Sequence, residues 1–196
     1  MTPTSAPLGR RERNKMEKRD RIIAAAGSLF AERGVDEVTT QEIAERADIG
    51  TGTLFLYAKT KGELLLMVQN AHYAEALSVG LARAESTPDP LAAVLEIIRP
   101  VVECNRVQVD NGRTYLREMA FGDPAEPHHA EARAISAQTE EAIAAILARS
   151  GDDAADLRAR VVSSVMFLAM AAADTSVESA EIVEDVRRQL TVILVG

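Results

Sequence analysis

The residues best placed to do chemistry fall in one stretch, "TTQEIAERADIGTGTLFLYAKTK", Thr39–Lys61. Thr39, Thr40, Gln41, Thr51, Thr53, Tyr57 and Lys61 supply hydroxyl, amide and ammonium groups at short spacing, and Gly52 removes a side chain between two threonines. Such groups fit a hydrogen-bonding surface. Thr gives a hydroxyl and a methyl to a base edge, and glycine admits close backbone approach. The Thr39 and Tyr57 hydroxyls and the Lys61 ammonium suit phosphate oxygens. Taken singly, each has a plain reading as a cap, a half-buried ring or a solvated charge.

Two short helices must hold these groups. Thr39 with Glu42 three residues later forms a capping box, which starts a helix through about Ala47. Asp48, Ile49 and Gly50 make a break, and a helix follows from about Thr51 to Tyr57. Ile43 and Ala47 face inward at i, i+4, with Ala44 small enough for close packing, and Leu54 and Phe55 are the inward anchors of the second helix. Two short helices about a tight turn are a helix-turn-helix, whose second helix presents its N-terminal residues to a DNA groove. Helix starts at Thr39 and Thr60 add backbone N–H donors for phosphate.

The rest of the chain is helical in pattern. Ile22, Ala26, Leu29 and Phe30 form one face of a first helix, with Gly34 as its left-handed C-cap. Thr60 with Glu63 is a second capping box, opening a long helix to about Arg83. Pro88 and Pro90 mark a boundary, and helices are expected over 91–109, 112–121, 129–150, 153–175 and 179–195. The chain reads as all-α, with about nine helices. Val161–Ala173 is apolar nearly all round, with Ser163, Ser164, Ala169, Ala172 and Ala173 small enough to admit a partner helix. Beside the last helix, with Ile182, Val183, Val186, Leu190, Ile193 and Leu194, it predicts a two-fold four-helix interface.

Charge is divided. Met1–Asn70 holds 11 basic and 10 acidic residues, Ala71–Gly196 holds 11 and 20, and the net charge is −8. The densest cationic run is Arg10, Arg11, Arg13, Lys15, Lys18, Arg19 and Arg21, so one end suits a polyanion and the other does not. The lone Cys104 excludes an internal disulfide framework. The basic N-terminus lacks the apolar core of a signal peptide, and no apolar run is long enough to span a bilayer. A soluble cytoplasmic protein is expected, with no membrane partner.

The run "LFAERGVDEVTTQEIAERADIGTGTLFLYAKTKGELL" resembles the DNA-binding domain of the tetracycline-repressor (TetR) family. The resemblance covers roughly Arg19–Val68. It implies a three-helix DNA-binding domain at the N-terminus and a helical ligand-binding and dimerisation domain behind it. Residues 1–14 are then a flexible basic tail, 15–62 the DNA-binding domain, 60–83 a connecting helix, and 63–196 the remainder. Thr39, Thr40, Gln41, Thr51, Gly52, Thr53, Tyr57 and Lys61 are the expected DNA contacts. The function implied is a homodimeric repressor that leaves a palindromic operator when a small, largely apolar molecule binds. Three positions depart from the family pattern: Asp48 in the turn, Gly50 at the helix start, and Ala58 in place of a large aromatic, whose space Phe55 or "LLLMV" must fill.

Cys104, Asn105, Gln108, Tyr115, Met119 and Phe121 are the non-aliphatic candidates to line a ligand cavity. No cofactor and no metal are expected. The alternatives are a thiol- or metal-sensing regulator through Cys104 or His128/His129, or an all-α enzyme with an unrecognised site. The usual phosphate-loop, nucleophile-elbow and zinc-helix patterns are not found.

Overall fold

The computed structural model describes residues 9–194. Among the described residues it holds nine helices and no strand. They are α1 (Arg10–Arg33), α2 (Thr40–Arg46), α3 (Thr51–Leu54), α4 (Lys61–Glu85), α5 (Pro90–Arg106), α6 (Val109–Phe121), α7 (Pro127–Arg149), α8 (Ala155–Ala172) and α9 (Ser179–Leu194). Residues 10–14, assigned from the sequence to a flexible tail, form the first turn of α1; residues 1–8 lie outside the described residues, as does Val195.

Ile22, Ala26, Leu29 and Phe30 are buried as their spacing predicts, and they bring α1 against α2 and α4. Gly34 ends α1 at φ 79°, ψ 158°, with its N–H donating to Phe30 O at 2.9 Å. The positive φ is as expected, but ψ places it outside the left-handed helical well, in a region nearly exclusive to glycine. The Thr39 box is complete: Thr39 Oγ1 accepts from Glu42 N at 3.2 Å, and Thr39 N donates to the Glu42 carboxylate at 2.8 Å. Asp48 takes the left-handed conformation at φ 52°.

Behind this head, α4 and α5 run together, with α6 and α7 also on α4 and α8 on α7. The approach of α4 to α5 depends on Gly80. A Cβ there would lie 2.8 Å from Ile97 Cα and 2.9 Å from Glu96 O. The helix α9 buries Ile182, Val183, Val186 and Leu190 and packs on α5 and α8. The helix α8 buries Val162, Met166 and Met170 on its inner stripe, while Val161 and Leu168 (65% exposed) stand outward. It is therefore apolar on two sides, as its sequence predicts.

Two expectations are corrected. Phe55 is 44% exposed and is not an inward anchor. Helix α3 ends at Leu54, and residues 55–57 turn by shorter bonds, Leu56 N to Thr53 O and Tyr57 N to Leu54 O, which rotates Phe55 outward. Leu64, Leu65, Leu66, Met67 and Val68 are all buried, as is the small Ala58, so the "LLLMV" stretch fills the core there. Second, the Thr60 cap is only half a box. Thr60 Oγ1 accepts from Glu63 N at 3.0 Å, but the Glu63 carboxylate leaves its own helix and reaches α7.

Candidate nucleic-acid interface and body cavity

At the head, α3 begins without a side-chain cap, at Gly50. Thr51 and Gly52 are exposed and Thr53 is half-buried. No atom lies within 4 Å of a Cβ built on Gly52, so this backbone is open to a large partner. Buried Leu54 roots the turn from below, and Ile43, Ala44 and Ala47 fix α2 beneath it. Thr40 is half-buried at the first position of α2; Gln41 is exposed, and its amide donates to Glu45 Oε1 at 2.9 Å.

The other three candidates are tied into the fold. The Thr39 hydroxyl is shared within the capping box, donating to Glu42 Oε2 at 2.8 Å. The Tyr57 hydroxyl donates to Lys15 O at 3.3 Å, which docks α1 against the turn after α3. The Lys61 ammonium donates to Asp36 O at 3.0 Å and Val38 O at 3.3 Å, closing the α1–α2 loop. An ammonium has three N–H groups, so Lys61 retains one for another acceptor.

A feature outside the expected contact set adjoins α3. Arg10, Arg11, Lys15 and Lys18 from α1 line an open cleft of about 760 Å³ together with Asn14, Thr53, Leu56 and Tyr57. The first buried residue of α1 is Ile22, so twelve residues of it, about 18 Å, stand clear of the core. The charge density was visible in the sequence; its placement beside Thr53 was not. Three other cations of the head are paired: Arg21 with Asp48, Arg33 with Glu42, and Arg46 with Glu32. The Glu42 carboxyl is held down at about 2, first by the Thr39 backbone N–H, then by its hydroxyl and by Arg33.

Two sets of contacts join head and body. Asn111 of α6 is buried; its amide donates to Phe30 O at 2.9 Å and its carbonyl accepts from Val35 N at 2.7 Å. Glu63, 4% exposed, accepts from His128 N at 3.4 Å and His129 N at 3.2 Å. It thereby caps α7, whose own first residues supply no side-chain cap. Burial holds the Glu63 carboxyl above its ordinary range, against the pull of His128 and of the two backbone N–H groups. Around it, Lys59 pairs with Glu126 at 2.6 Å, and His128 Nε2 lies 2.9 Å from Tyr57 O. A carbonyl only accepts, so Nε2 carries the proton.

The same junction leads to a partly open cavity of about 50 Å³ in the body, bounded by α4, α5, α6, α7 and α8. Asn70 donates to His128 O and Glu131 Oε2, both at 3.0 Å, and accepts from Tyr115 OH at 3.1 Å. Tyr115 stacks on Tyr73 at 4.2 Å between ring centroids and 8° between planes, and both line the cavity. Asn105 donates to Tyr73 OH at 2.7 Å from behind the wall. Of the expected cavity residues, Tyr115 and Met119 line it and Asn105 braces it. Cys104 and Gln108 instead line an outer groove between α1, α4 and α5, and Gln108 caps α6 through Asn111 N at 2.7 Å. Phe121 is 85% exposed, at the end of α6. The walls not foreseen from the sequence are Ser136 and Thr139 of α7 and Ser163, Met166, Phe167 and Met170 of α8, whose types carry no cavity signal by themselves.

Burial pushes the Cys104 thiol up to about 11, which disfavours a reactive thiolate. Among the described residues no group of three or more His, Cys, Asp or Glu side chains is placed to hold a metal; His128 faces Tyr57 O and Glu131, and His129 is buried with both ring nitrogens unpartnered. No helix among the described residues is long and apolar enough to cross a membrane.

Residues 22–68 match the family model "Bacterial regulatory proteins, tetR family". The chain is 29% identical over 119 residues to the HTH-type transcriptional regulator RutR of Escherichia coli K12, which covers 59% of this chain and 54% of that protein. The chain thus spans about half the length of the curated relatives it matches first. Among solved structures, Thermus thermophilus FadR, a TetR-family repressor in complex with lauroyl-CoA, superposes with TM-score 0.68 and 27% identity over 88% of this chain and 92% of its own. RolR in complex with resorcinol gives TM-score 0.64 at 22% identity, over 91% and 89%, a likeness of fold. The α1–α4 head thus carries the sequence match to the tetR-family regulatory proteins, and the helical body behind it shares the fold of the solved TetR-family regulators.

Proposed function

We propose that the chain is a homodimeric, cytoplasmic transcriptional repressor, not an enzyme, that leaves a palindromic operator when a small molecule enters the α4–α8 cavity. Residues 15–62 act as the DNA-binding unit and 63–196 as the ligand-binding and dimerisation unit. Thr51, Gly52 and Thr53 meet base edges, because they form the exposed start of α3. Thr39, Thr40, Gln41, Tyr57 and Lys61 serve the backbone, with Tyr57 and Lys61 also fixing the head internally. Arg10, Arg11, Lys15 and Lys18 extend the phosphate contact along α1. The outward apolar side of α8, with Val161 and Leu168, faces its copy beside α9.

The observation that carries this reading is the shared junction. Glu63 sits three residues into α4, at the head, and caps α7, which lines the cavity through Ala132, Ile135, Ser136 and Thr139. A ligand that displaces α7 pulls on the start of α4 and so on the spacing of the two α3 helices. Half-sites about 34–36 Å apart tolerate little change in that spacing. FadR and RolR, which are crystallised with lauroyl-CoA and resorcinol, support ligand control in this fold. The test is a linkage measurement: ligand affinity with and without operator must differ by the same factor as operator affinity with and without ligand. Equal affinities in both states contradict the mechanism.

A further inference from the structure

The cavity also constrains what it binds, and this step rests on the ligand control proposed above. We infer that its ligand is an uncharged, compact, single-ring molecule with one polar atom that hydrogen-bonds Ser163. Three observations carry this.

First, no residue lining the cavity is charged. A carboxylate, phosphate or ammonium held within it would lie against mainly apolar walls without a counter-charge, a desolvation cost that disfavours ionised ligands.

Second, most wall hydroxyls are already engaged. Tyr115 donates to Asn70, Thr139 Oγ1 donates to Ile135 O at 2.9 Å, and Tyr73 OH accepts from Asn105. Ser163 Oγ is buried and has no hydrogen-bond partner among the described residues. A buried hydroxyl without a partner is a standing cost that a ligand oxygen would remove. Ser136, the remaining wall hydroxyl, belongs to an exposed residue, so Ser163 is the buried polar anchor that the wall offers a ligand.

Third, the size of the cavity and its walls favour a compact ring that the walls re-pack to admit. The cavity of about 50 Å³ exceeds what one water needs, about 10–15 Å³, and is about a third of the roughly 150 Å³ that holds benzene, so a ring enters as the wall side chains shift. The cavity is small for an extended chain. The Tyr73–Tyr115 stack and Phe167 contribute flat aromatic surface, and Met119, Met166 and Met170 are unbranched side chains that can re-pack around a ring.

The test uses calorimetry on the full chain with phenol, toluene and benzoate, three single rings that differ in one substituent. Phenol is expected to bind about 2–10-fold more tightly than toluene, the range of one hydrogen bond. Benzoate is expected to bind at least about 100-fold more weakly than phenol. Ser163→Ala should bring phenol down to the affinity of toluene and leave toluene unchanged. Retained toluene binding shows that the variant cavity is intact. Benzoate binding as tight as phenol, loss of no phenol affinity in Ser163→Ala, or failure of both phenol and toluene to bind would each overturn the inference. A parallel operator titration separates the two claims. Phenol that binds through Ser163 without changing operator affinity leaves this inference standing and contradicts ligand control.

Discussion

Replacing Glu63 with Ala should weaken both the fold and the link between head and body. The carboxylate accepts from two backbone N–H groups at the start of α7, at 3.2 and 3.4 Å. These are at the long end of hydrogen-bond distances, so each falls below the 1.5–3 kcal/mol typical of about one charge-assisted bond. Losing a helix cap costs about 0.5–2 kcal/mol. Charging a carboxyl held above its ordinary range by burial offsets part of the gain, while Ala leaves the buried His129 N–H without an acceptor. The net loss should be about 1–2 kcal/mol, a factor of about 5–30 in the folding equilibrium. In a chain of this size that lowers the melting temperature by about 2–8 °C. Glu63→Gln keeps one carbonyl acceptor and should lose about half as much. Urea unfolding of the three proteins at equal concentration, read by circular dichroism, measures the difference. An Ala variant with unchanged midpoint and slope would refute the cap as a stabilising contact between α4 and α7.

Gly80→Ala should destabilise by about 1–3 kcal/mol, since its Cβ would press on the α5 backbone; thermal unfolding equal to wild type would show that α4 and α5 separate freely. Substituting Lys15 and Lys18 together with Ala should reduce the salt slope of dimer binding to DNA by about four, one for each phosphate left without its cation across the two protomers, with site preference unchanged. A changed preference at constant slope would place them on bases instead. The Glu42 carboxyl lies below its ordinary range, so its contribution to stability is present above the ordinary value near 4.5 and is lost as pH falls toward about 2. Carbon-13 NMR titration should find it ionised at pH 3.5, and a titration midpoint near 4.5 would show that the capping box does not hold in solution.

Much of the head was legible because its signals are local. Thr39 and Glu42 are three residues apart, and both bonds of their box form. Asp48 sits where the turn needs a positive φ and takes it. The apolar spacing of Ile22, Ala26, Leu29 and Phe30 marks a buried face that the structure also buries. What was not legible depends on distant partners. Thr60 and Glu63 have the same spacing as the first box, yet Glu63 turns to α7, 65 and 66 residues away. Asn111 reads as a polar residue near a helix start, and only the fold brings it to Phe30 and Val35. Phe55 reads as core by type, and the tightened turn after α3 exposes it. The cavity is the least legible part, because Ser136, Thr139 and Ser163 acquire meaning only from the helices they face.

Selection of bound duplexes from a random pool by the full chain, followed by titration of the recovered site, tests the central claim most directly. An inverted repeat is predicted, with half-site centres about 34–36 Å apart or somewhat more along the duplex. Thr53→Ala should alter the recovered half-site, whereas Lys61→Ala should weaken all sites alike. Recovery of no common sequence, or of a single asymmetric half-site bound by one copy of the chain, would contradict the account.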